Sequence, residues 1–330
     1  MTLKKFALGL TTASALTLAS VSSAQGLLNS SYDIARELFA SYNQLFSEHW
    51  PEQDLEIQQS HGGSSAQAQA ILQGLRADVV TFNQVTDINI LASRGNLLPE
   101  DWQTRLPNNS SPYFSTMAFL VRKDNPKNIQ NWDDLVREEV SLVFPNPKTS
   151  GNGRYTYLAA RGFAQQQFSD EQEQQQFLST FLSRVEVFDN GGRGATNTFI
   201  DRGIGDVLIT FESEVRNILD ELNSDDYQIV VPQVSFLAEF PVAWLDRNVQ
   251  RNNSAELAKA YLEHLYSQPA QELLAGFNYR VHHPEVVAAN AERFPELQLL
   301  TIEDIAGSWD YATNNIFNNG GELDRLLSRR

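Results

Sequence analysis

Val140-Ser141-Leu142-Val143-Phe144-Pro145-Asn146-Pro147-Lys148-Thr149-Ser150-Gly151-Asn152-Gly153 leads into Arg154-Tyr155-Thr156-Tyr157-Leu158. Val140 to Phe144 is a short apolar run of strand composition, and Pro145 stops it because proline has no N–H for a ladder. Tyr157, Leu158 and Phe163 then follow at helical spacing. Between strand and helix lies a turn of small residues, where the first helical N–H groups have no acceptor within their own helix. They also carry the positive end of the helix dipole. Such a strand–turn–helix unit can grip an anion.

The same design appears at three further places: Ser31-Tyr32-Asp33, Gly62-Gly63-Ser64 and Gly191-Gly192-Arg193-Gly194. Asp33 stands where an N-cap belongs, ahead of Ile34, Leu38, Tyr42, Leu45 and Phe46 at helical spacing. One such turn is ordinary capping. Several on one chain, shared between two halves of an alternating pattern, point to an oxyanion held between two lobes, because in parallel α/β sheets these turns collect at one edge.

Working outward, strand-like and helix-like periods alternate, which predicts an α/β fold. Strands are expected at Leu27–Tyr32, Leu55–Ile57, Ala77–Phe82, Phe114–Val121, Val185–Phe188, Asp206–Phe211, Tyr227–Val231 and Phe240–Leu245. Helices are expected after each glycine-rich turn, from Asn131 and from Glu212. A further one is expected after Asn253, taken as its N-cap with Glu256 three residues on. The glutamine-rich run between Gln165 and Gln176 reads as a solvated helix surface with a connecting loop.

Lys4 and Lys5, an uncharged stretch from Phe6 to Leu18 and the small residues Ser22-Ser23-Ala24 form a secretory leader over residues 1–24. Its apolar core is too short to span a membrane. Cleavage near Ala24 leaves about 306 of the 330 residues, exported and beginning near Gln25. That length predicts two lobes rather than one core. The chain contains no cysteine, which excludes disulfides and thiolate metal sites. Its net charge of −16 becomes about −18 without the leader, which disfavours nucleic acid and anionic lipid as partners. An anion must therefore be held by local donors.

The five histidines, His49, His61, His264, His282 and His283, show no metal-ligand spacing with acids. No Gly-x-Ser-x-Gly elbow is present, and the Lys148 segment lacks the first glycine of a phosphate-binding loop. Neither catalytic nor metal-ligating residues are expected, nor any cofactor. The rival classes are a receptor for another tetrahedral oxyanion, such as molybdate or phosphate, and a secreted phosphoryl- or sulfuryl-transfer enzyme.

Ser60-His61-Gly62-Gly63-Ser64, Leu106-Pro107-Asn108-Asn109-Ser110, Pro145 to Gly151, Gly192-Arg193-Gly194-Ala195-Thr196 and Ile204-Gly205-Asp206-Val207-Leu208 occur in that order. Leu237-Ala238-Glu239 and Gly320-Gly321-Glu322-Leu323-Asp324 complete the set. Through these motifs the chain, from about Leu27 to Leu327, resembles the periplasmic sulfate- and thiosulfate-binding receptors of ABC transporters. The resemblance implies a two-lobed type II periplasmic binding protein with its ligand in the interlobe cleft and two strands crossing the hinge. One lobe would hold residues 25–113 with 237–330, the other 114–236. It also implies a monomer that delivers its anion to membrane permease subunits for sulfur assimilation.

Matched motif by motif, the resemblance places main-chain donors at Asp33, Ser150, Gly151, Asn152 and Gly192, and a hydroxyl donor at Ser64. Arg154 and Arg193 adjoin these turns and are expected to stand behind them or at the surface. Sulfate-binding relatives carry a tryptophan at the end of the Asp206 strand, where this chain has Phe211. That residue lies in Leu208-Ile209-Thr210-Phe211-Glu212-Ser213-Glu214. This stretch and Phe82-Asn83-Gln84-Val85-Thr86-Asp87 are similar to the thiosulfate-binding branch. An apolar, polarisable ring suits the terminal sulfur of thiosulfate, which accepts hydrogen bonds poorly.

Overall fold

The computed structural model describes residues 26–51, 55–222 and 225–328; the leader expected over 1–24 lies outside the described residues. β1 (Gly26–Ser31) runs into a 3-10 turn, Asp33–Ala35, and then α1 (Arg36–His49). β2 (Glu56–His61) runs into α2 (Ser64–Leu72), and β3 (Val79–Thr81) into α3 (Val85–Ser93). β1 lies between β2 and β3, parallel to both, with Ser31 opposite His61 on one side and Thr81 on the other. All three strands therefore end at one edge, and the turns after them emerge together. α4 (Pro107–Ser110) is a tight turn with Asn108 and Asn109 in the left-handed region, at φ 53 and 55. Asparagine tolerates that conformation better than most side chains.

The strand expected over Phe114–Val121 is two strands, β4 (Tyr113–Ser115) and β5 (Met117–Arg122), which separate at Thr116. The break lets the chain leave one sheet and enter another. A second set of parallel units follows: β6 (Leu142–Pro145), α5 (Gly151–Gln167), α6 (Glu171–Ser183), β7 (Val185–Asp189), α7 (Gly192–Ile200), β8 (Val207–Phe211), α8 (Glu212–Leu222) and β9 (Tyr227–Val230). The sheet order is β7-β6-β8-β5-β9. β6 runs parallel to β7 and β8, while β5 is antiparallel to β8 and β9.

Alternation along these strands splits their side chains between two layers. Val79 joins the large aromatic core and Val80 a separate core with Ile71, Ile88 and Trp102. In the second sheet Phe144 and Ile209 face the large core, whereas Val143 and Leu208 face Ala195, Phe199 and Val215. Both sheets are thus covered on both faces, as parallel sheets must be. Each such side chain contributes about 1.5–3 kcal/mol when fully buried.

The chain then returns through β10 (Val234–Phe236), β11 (Ala238–Glu239) and β12 (Val242–Trp244), which pairs antiparallel with β3. β11 lies antiparallel to β4, with Ala238 opposite Ser115, so the two crossings between the sheets run side by side. α9 (Asp246–Asn252), α10 (Ala255–His264), α11 (Gln268–Gly276), β13 (Arg280–Val281) and α12 (Pro284–Ala289) follow. Asn253 is not the expected N-cap. It is the left-handed C-cap of α9 at φ 54, and Ser254 takes the cap position of α10 while its hydroxyl bonds Asp78.

The last segment comprises β14 (Gln298–Leu300), α13 (Ile302–Ala306), α14 (Trp309–Tyr311) and α15 (Glu322–Leu327). The resemblance groups this segment with the first lobe, while its contacts run to elements of the second sheet. β14 pairs with β10, α13 packs on α5, and α15 packs on α6. Lys148 pairs with Asp324 at 2.9 Å and Arg161 with Glu322 at 3.0 Å, and Leu300 and Ile305 close on Gly162. Buried apolar surface on α5 needs a cover that its own sheet does not supply. Among the described residues, no helix is long and apolar enough to cross a membrane.

Candidate functional site: facing helix starts at two sheet edges

The four glycine-rich or capping turns all lie at the carboxyl ends of parallel strands, two from each sheet. Asp33 opens the 3-10 turn after β1. It is the first turn residue rather than the expected cap, that position being Tyr32. Among the described residues, the main-chain N–H groups of Asp33, Gly151, Asn152 and Gly192 donate to no protein acceptor. The N–H of Ser64 is free in the same way, a donor that sequence reasoning missed. Its signal was available, since Ser64 is itself the first residue of a helix.

Ser150 differs from expectation. Its N–H donates to the Asn146 carbonyl at 2.9 Å, closing the turn after β6. Its hydroxyl oxygen accepts from the Gly153 N–H at 3.5 Å, which leaves the hydroxyl hydrogen unused. Ser150 therefore offers an O–H, not an N–H. The Ser64 hydroxyl donates to Asn83 Oδ1 at 2.6 Å and accepts from the Asn83 N–H at 3.1 Å, so it must rotate to serve a ligand.

The turns of the two sheets touch. A Cβ on Gly151 would lie 2.8 Å from Asn83 Oδ1 and 3.3 Å from the Asn83 carbonyl. One on Gly192 would lie 3.4 Å from Asn152 Nδ2 and 3.8 Å from Ile34 Cγ2, and one on Gly191 3.2 Å from Asp33 Oδ2. The contacts thus run in a chain from Ser64 through Asn83, Gly151, Asn152 and Gly192 to Gly191 and Asp33. Glycine is required at 151 because any side chain would press one sheet's turn away from the other's.

Phe211, at the end of β8, is fully buried. Its ring packs edge-on against Phe240 at 5.1 Å and Tyr155 at 5.9 Å. Phe240 in turn meets Tyr32, the residue before Asp33, at 5.2 Å. The preceding Thr210 accepts a hydrogen bond from Asn152 Nδ2 at 2.8 Å, which ties the start of α5 to β8.

Neither arginine points its charge at the turns. Arg154 donates to Thr86 Oγ1 at 3.1 Å and to the Pro147 carbonyl at 3.2 Å, and lies 3.8 Å from Asp87. Arg193 pairs with Glu37 at 3.5 Å, with both side chains more than half exposed. Both link the second sheet's helices to the first sheet's. Surface pairs of the latter kind are worth about 0–1 kcal/mol.

The surrounding charge is mainly acidic. A cavity of about 440 Å³ adjoins the Ile34 and Arg193 turns and is lined by Glu37, Glu214, Asp220 and Glu221. Burial pushes the Glu214 carboxyl up to about 7, although Thr196 donates to it at 3.3 Å. Burial also raises the Asp87 carboxyl, opposed by Arg154, and lowers the His61 imidazole. His61 is held locally, with Nδ1 3.1 Å from the Tyr32 carbonyl and Nε2 against Gln59. Among the described residues no cluster of three or more His, Cys, Asp or Glu is arranged to hold a metal ion.

Two mixed α/β sheets, joined by paired crossing strands and presenting facing helix starts, define a type II periplasmic binding protein. The chain belongs to the bacterial extracellular solute-binding protein family, whose model matches residues 32–280. It is 55% identical to the thiosulfate-binding protein of Escherichia coli K12 over 331 aligned residues, covering 99% of this chain and 97% of the relative. It is 45% identical to the sulfate-binding protein of the same organism, covering 92% and 93%. The solved structure of the sulfate-binding protein SubI from Mycobacterium tuberculosis superposes with a TM-score of 0.80 at 28% identity, covering 89% of this chain and all of that one. These relatives are named as binding proteins, and the chain is a transport receptor rather than an enzyme.

Proposed function

We propose that this protein captures thiosulfate, with sulfate as a second ligand, and delivers it to the permease subunits of an ABC importer. The observation that supports the reading is that unpartnered main-chain amides stand on helix starts of both sheets whose turns touch one another. The anion is held by the N–H groups of Asp33, Ser64, Gly151, Asn152 and Gly192 and by the hydroxyls of Ser64 and Ser150. Phe211 supplies the apolar wall against the terminal sulfur. Arg154 and Arg193 act at a distance, holding the lobes together.

Charge-assisted hydrogen bonds contribute about 1.5–3 kcal/mol each. The seven donors named give on the order of 10–21 kcal/mol before association costs of at least about 4 kcal/mol. Micromolar affinity needs about 8 kcal/mol. The donors suffice because the sheet edges hold them in place before the ligand arrives. Only the closed arrangement brings both sets together, so binding draws the lobes shut. In this reading 26–113 and 237–297 move as one lobe, and 114–236 with the C-terminal segment as the other. The leader is removed near Ala24 and the receptor works as a periplasmic monomer.

Calorimetric titration of ligand-stripped protein with thiosulfate, sulfate, phosphate and molybdate tests the proposal. Thiosulfate binding at least as tight as sulfate, with weak phosphate and molybdate binding, is expected. No uptake of either sulfur anion overturns it, and sulfate tighter by about tenfold (about 1.4 kcal/mol) removes the role given to Phe211.

A further inference from the structure

The Asn152 side chain is almost fully buried, at 2% exposure, in the first turn of α5. Its Nδ2 donates to Thr210 Oγ1, but its Oδ1 is enclosed with no hydrogen-bond partner. Thr210, also fully buried, accepts that bond, and its own hydroxyl hydrogen meets no acceptor among the described residues. A buried carbonyl oxygen without a donor has lost its hydrogen bonds to water without replacing them, which destabilises the fold. A buried hydroxyl without an acceptor adds to that cost.

One rotation removes both defects. Turning the carboxamide by about 180° places Oδ1 against Thr210, whose O–H then donates to it, and sends the two Nδ2 hydrogens where Oδ1 had been. The two ends of an amide are nearly the same shape, so the rotation demands no repacking. The rotated group then keeps its oxygen at the place 3.4 Å from the Gly192 Cβ position, and its NH2 takes the enclosed place on the residue whose main-chain N–H is itself unpartnered.

We propose that the Asn152 side chain is an additional anion donor, and that Thr210 holds it in the donating orientation. This inference rests on the anion-receptor reading above. A side-chain amide on the β8 side of the site supplies, from α5, a hydrogen bond that the phenyl ring of Phe211 cannot provide. Thr210 acts through Asn152 and is a positioning residue. The paired amide and hydroxyl hold the ligand's oxygens on this side, leaving the Phe211 ring free to face sulfur.

The test compares Asn152→Gly, Asn152→Asp, Thr210→Val and Thr210→Ser with the parent protein by calorimetry with thiosulfate and sulfate. Asn152→Gly keeps the main-chain donor and is expected to weaken thiosulfate binding at least tenfold. Asn152→Asp, isosteric but unable to donate, weakens it more. Thr210→Val produces part of the loss, Thr210→Ser restores parent affinity, and the double variant Asn152→Gly with Thr210→Val is no weaker than Asn152→Gly alone. Unfolding midpoints without ligand confirm that each variant folds. The side-chain amide resonance of Asn152, identified by its disappearance in Asn152→Asp, shifts when the parent protein is saturated.

Parent protein that binds while Asn152→Gly and Asn152→Asp bind equally well overturns this proposal and leaves the receptor reading standing. Parent protein that binds neither anion overturns both. If a variant fails to fold, the resonance, assigned instead from backbone-connected spectra of the parent protein, decides: no shift on saturation rejects the donor role.

Discussion

Replacing Gly151 by alanine isolates closure from folding. The added Cβ would stand 2.8 Å from Asn83 Oδ1, 3.2 Å from Gln84 Cβ and 3.3 Å from the Asn83 carbonyl, where ordinary contact begins at 3.4 Å. The Asn83 side chain can swing away, but its main chain cannot, because it is fastened to Ser64. The turns must separate by a few tenths of an ångström and by up to about 0.6 Å if Asn83 stays put. Hydrogen bonds near 2.9 Å then approach 3.5 Å, where they weaken steeply. Losing two charge-assisted bonds on one side of the anion costs about 3–6 kcal/mol, or about 10²–10⁴-fold in affinity.

The folded state without ligand loses nothing, since alanine is favoured over glycine in a first helical turn. Titration calorimetry should therefore show the affinity loss while the unliganded unfolding midpoint stays level or rises. Gly153→Ala is the control. Its Cβ meets the Pro145 carbonyl and lies 2.8 Å from the Asn146 carbonyl carbon, inside the same lobe. That variant should lose stability outright. Affinity of Gly151→Ala within about threefold of the parent protein would refute the account of a site assembled by contact between two lobes.

Three further outcomes follow from the geometry. Glu212 is fully buried and pairs with Arg280 at 2.7 Å and Arg216 at 2.9 Å. Arg280→Met should cost about 3 kcal/mol in denaturant unfolding, the low end for a broken buried pair because Arg216 remains. Glu214 binds its proton more tightly folded than unfolded, its carboxyl standing near 7 against an ordinary 4.5. Stability should fall as pH rises across that window and level off above it. Glu214→Gln should flatten the fall in unfolding midpoints measured between pH 5 and 8. Phe211→Trp overfills the space between Tyr155 and Phe240 and should cost about 1–3 kcal/mol of stability. If the ring faces sulfur, the same variant should shift the sulfate-to-thiosulfate affinity ratio at least tenfold toward sulfate, measured by paired titrations.

The local chemistry of this protein was legible from one dimension. Glycine-rich turns between strand-like and helix-like periods announced the helices that follow, since those signals depend only on neighbours in the chain, though α5 and α7 begin inside their turns, at 151 and 192, rather than after them. The break at Thr116 was not legible, because Phe114 to Val121 has uninterrupted strand composition and only partners elsewhere pull it into two sheets. Asn253 carries the composition of an N-cap, yet its left-handed φ lets it finish the preceding helix.

Which groups remain free to bind was a tertiary decision. Ser150 has an N–H like its neighbours, and the chain's reversal at Asn146 consumes it. The carboxamide of Asn152 became a candidate donor only when folding placed Thr210 beside it and shut water out. The packing of residues 298–327 over α5 and α6 likewise answers an exposed apolar face that no local pattern announces. Sequence determines which backbone groups helices leave unpaired, because that follows from helix geometry itself. Only the assembled fold decides which of them another part of the chain claims first.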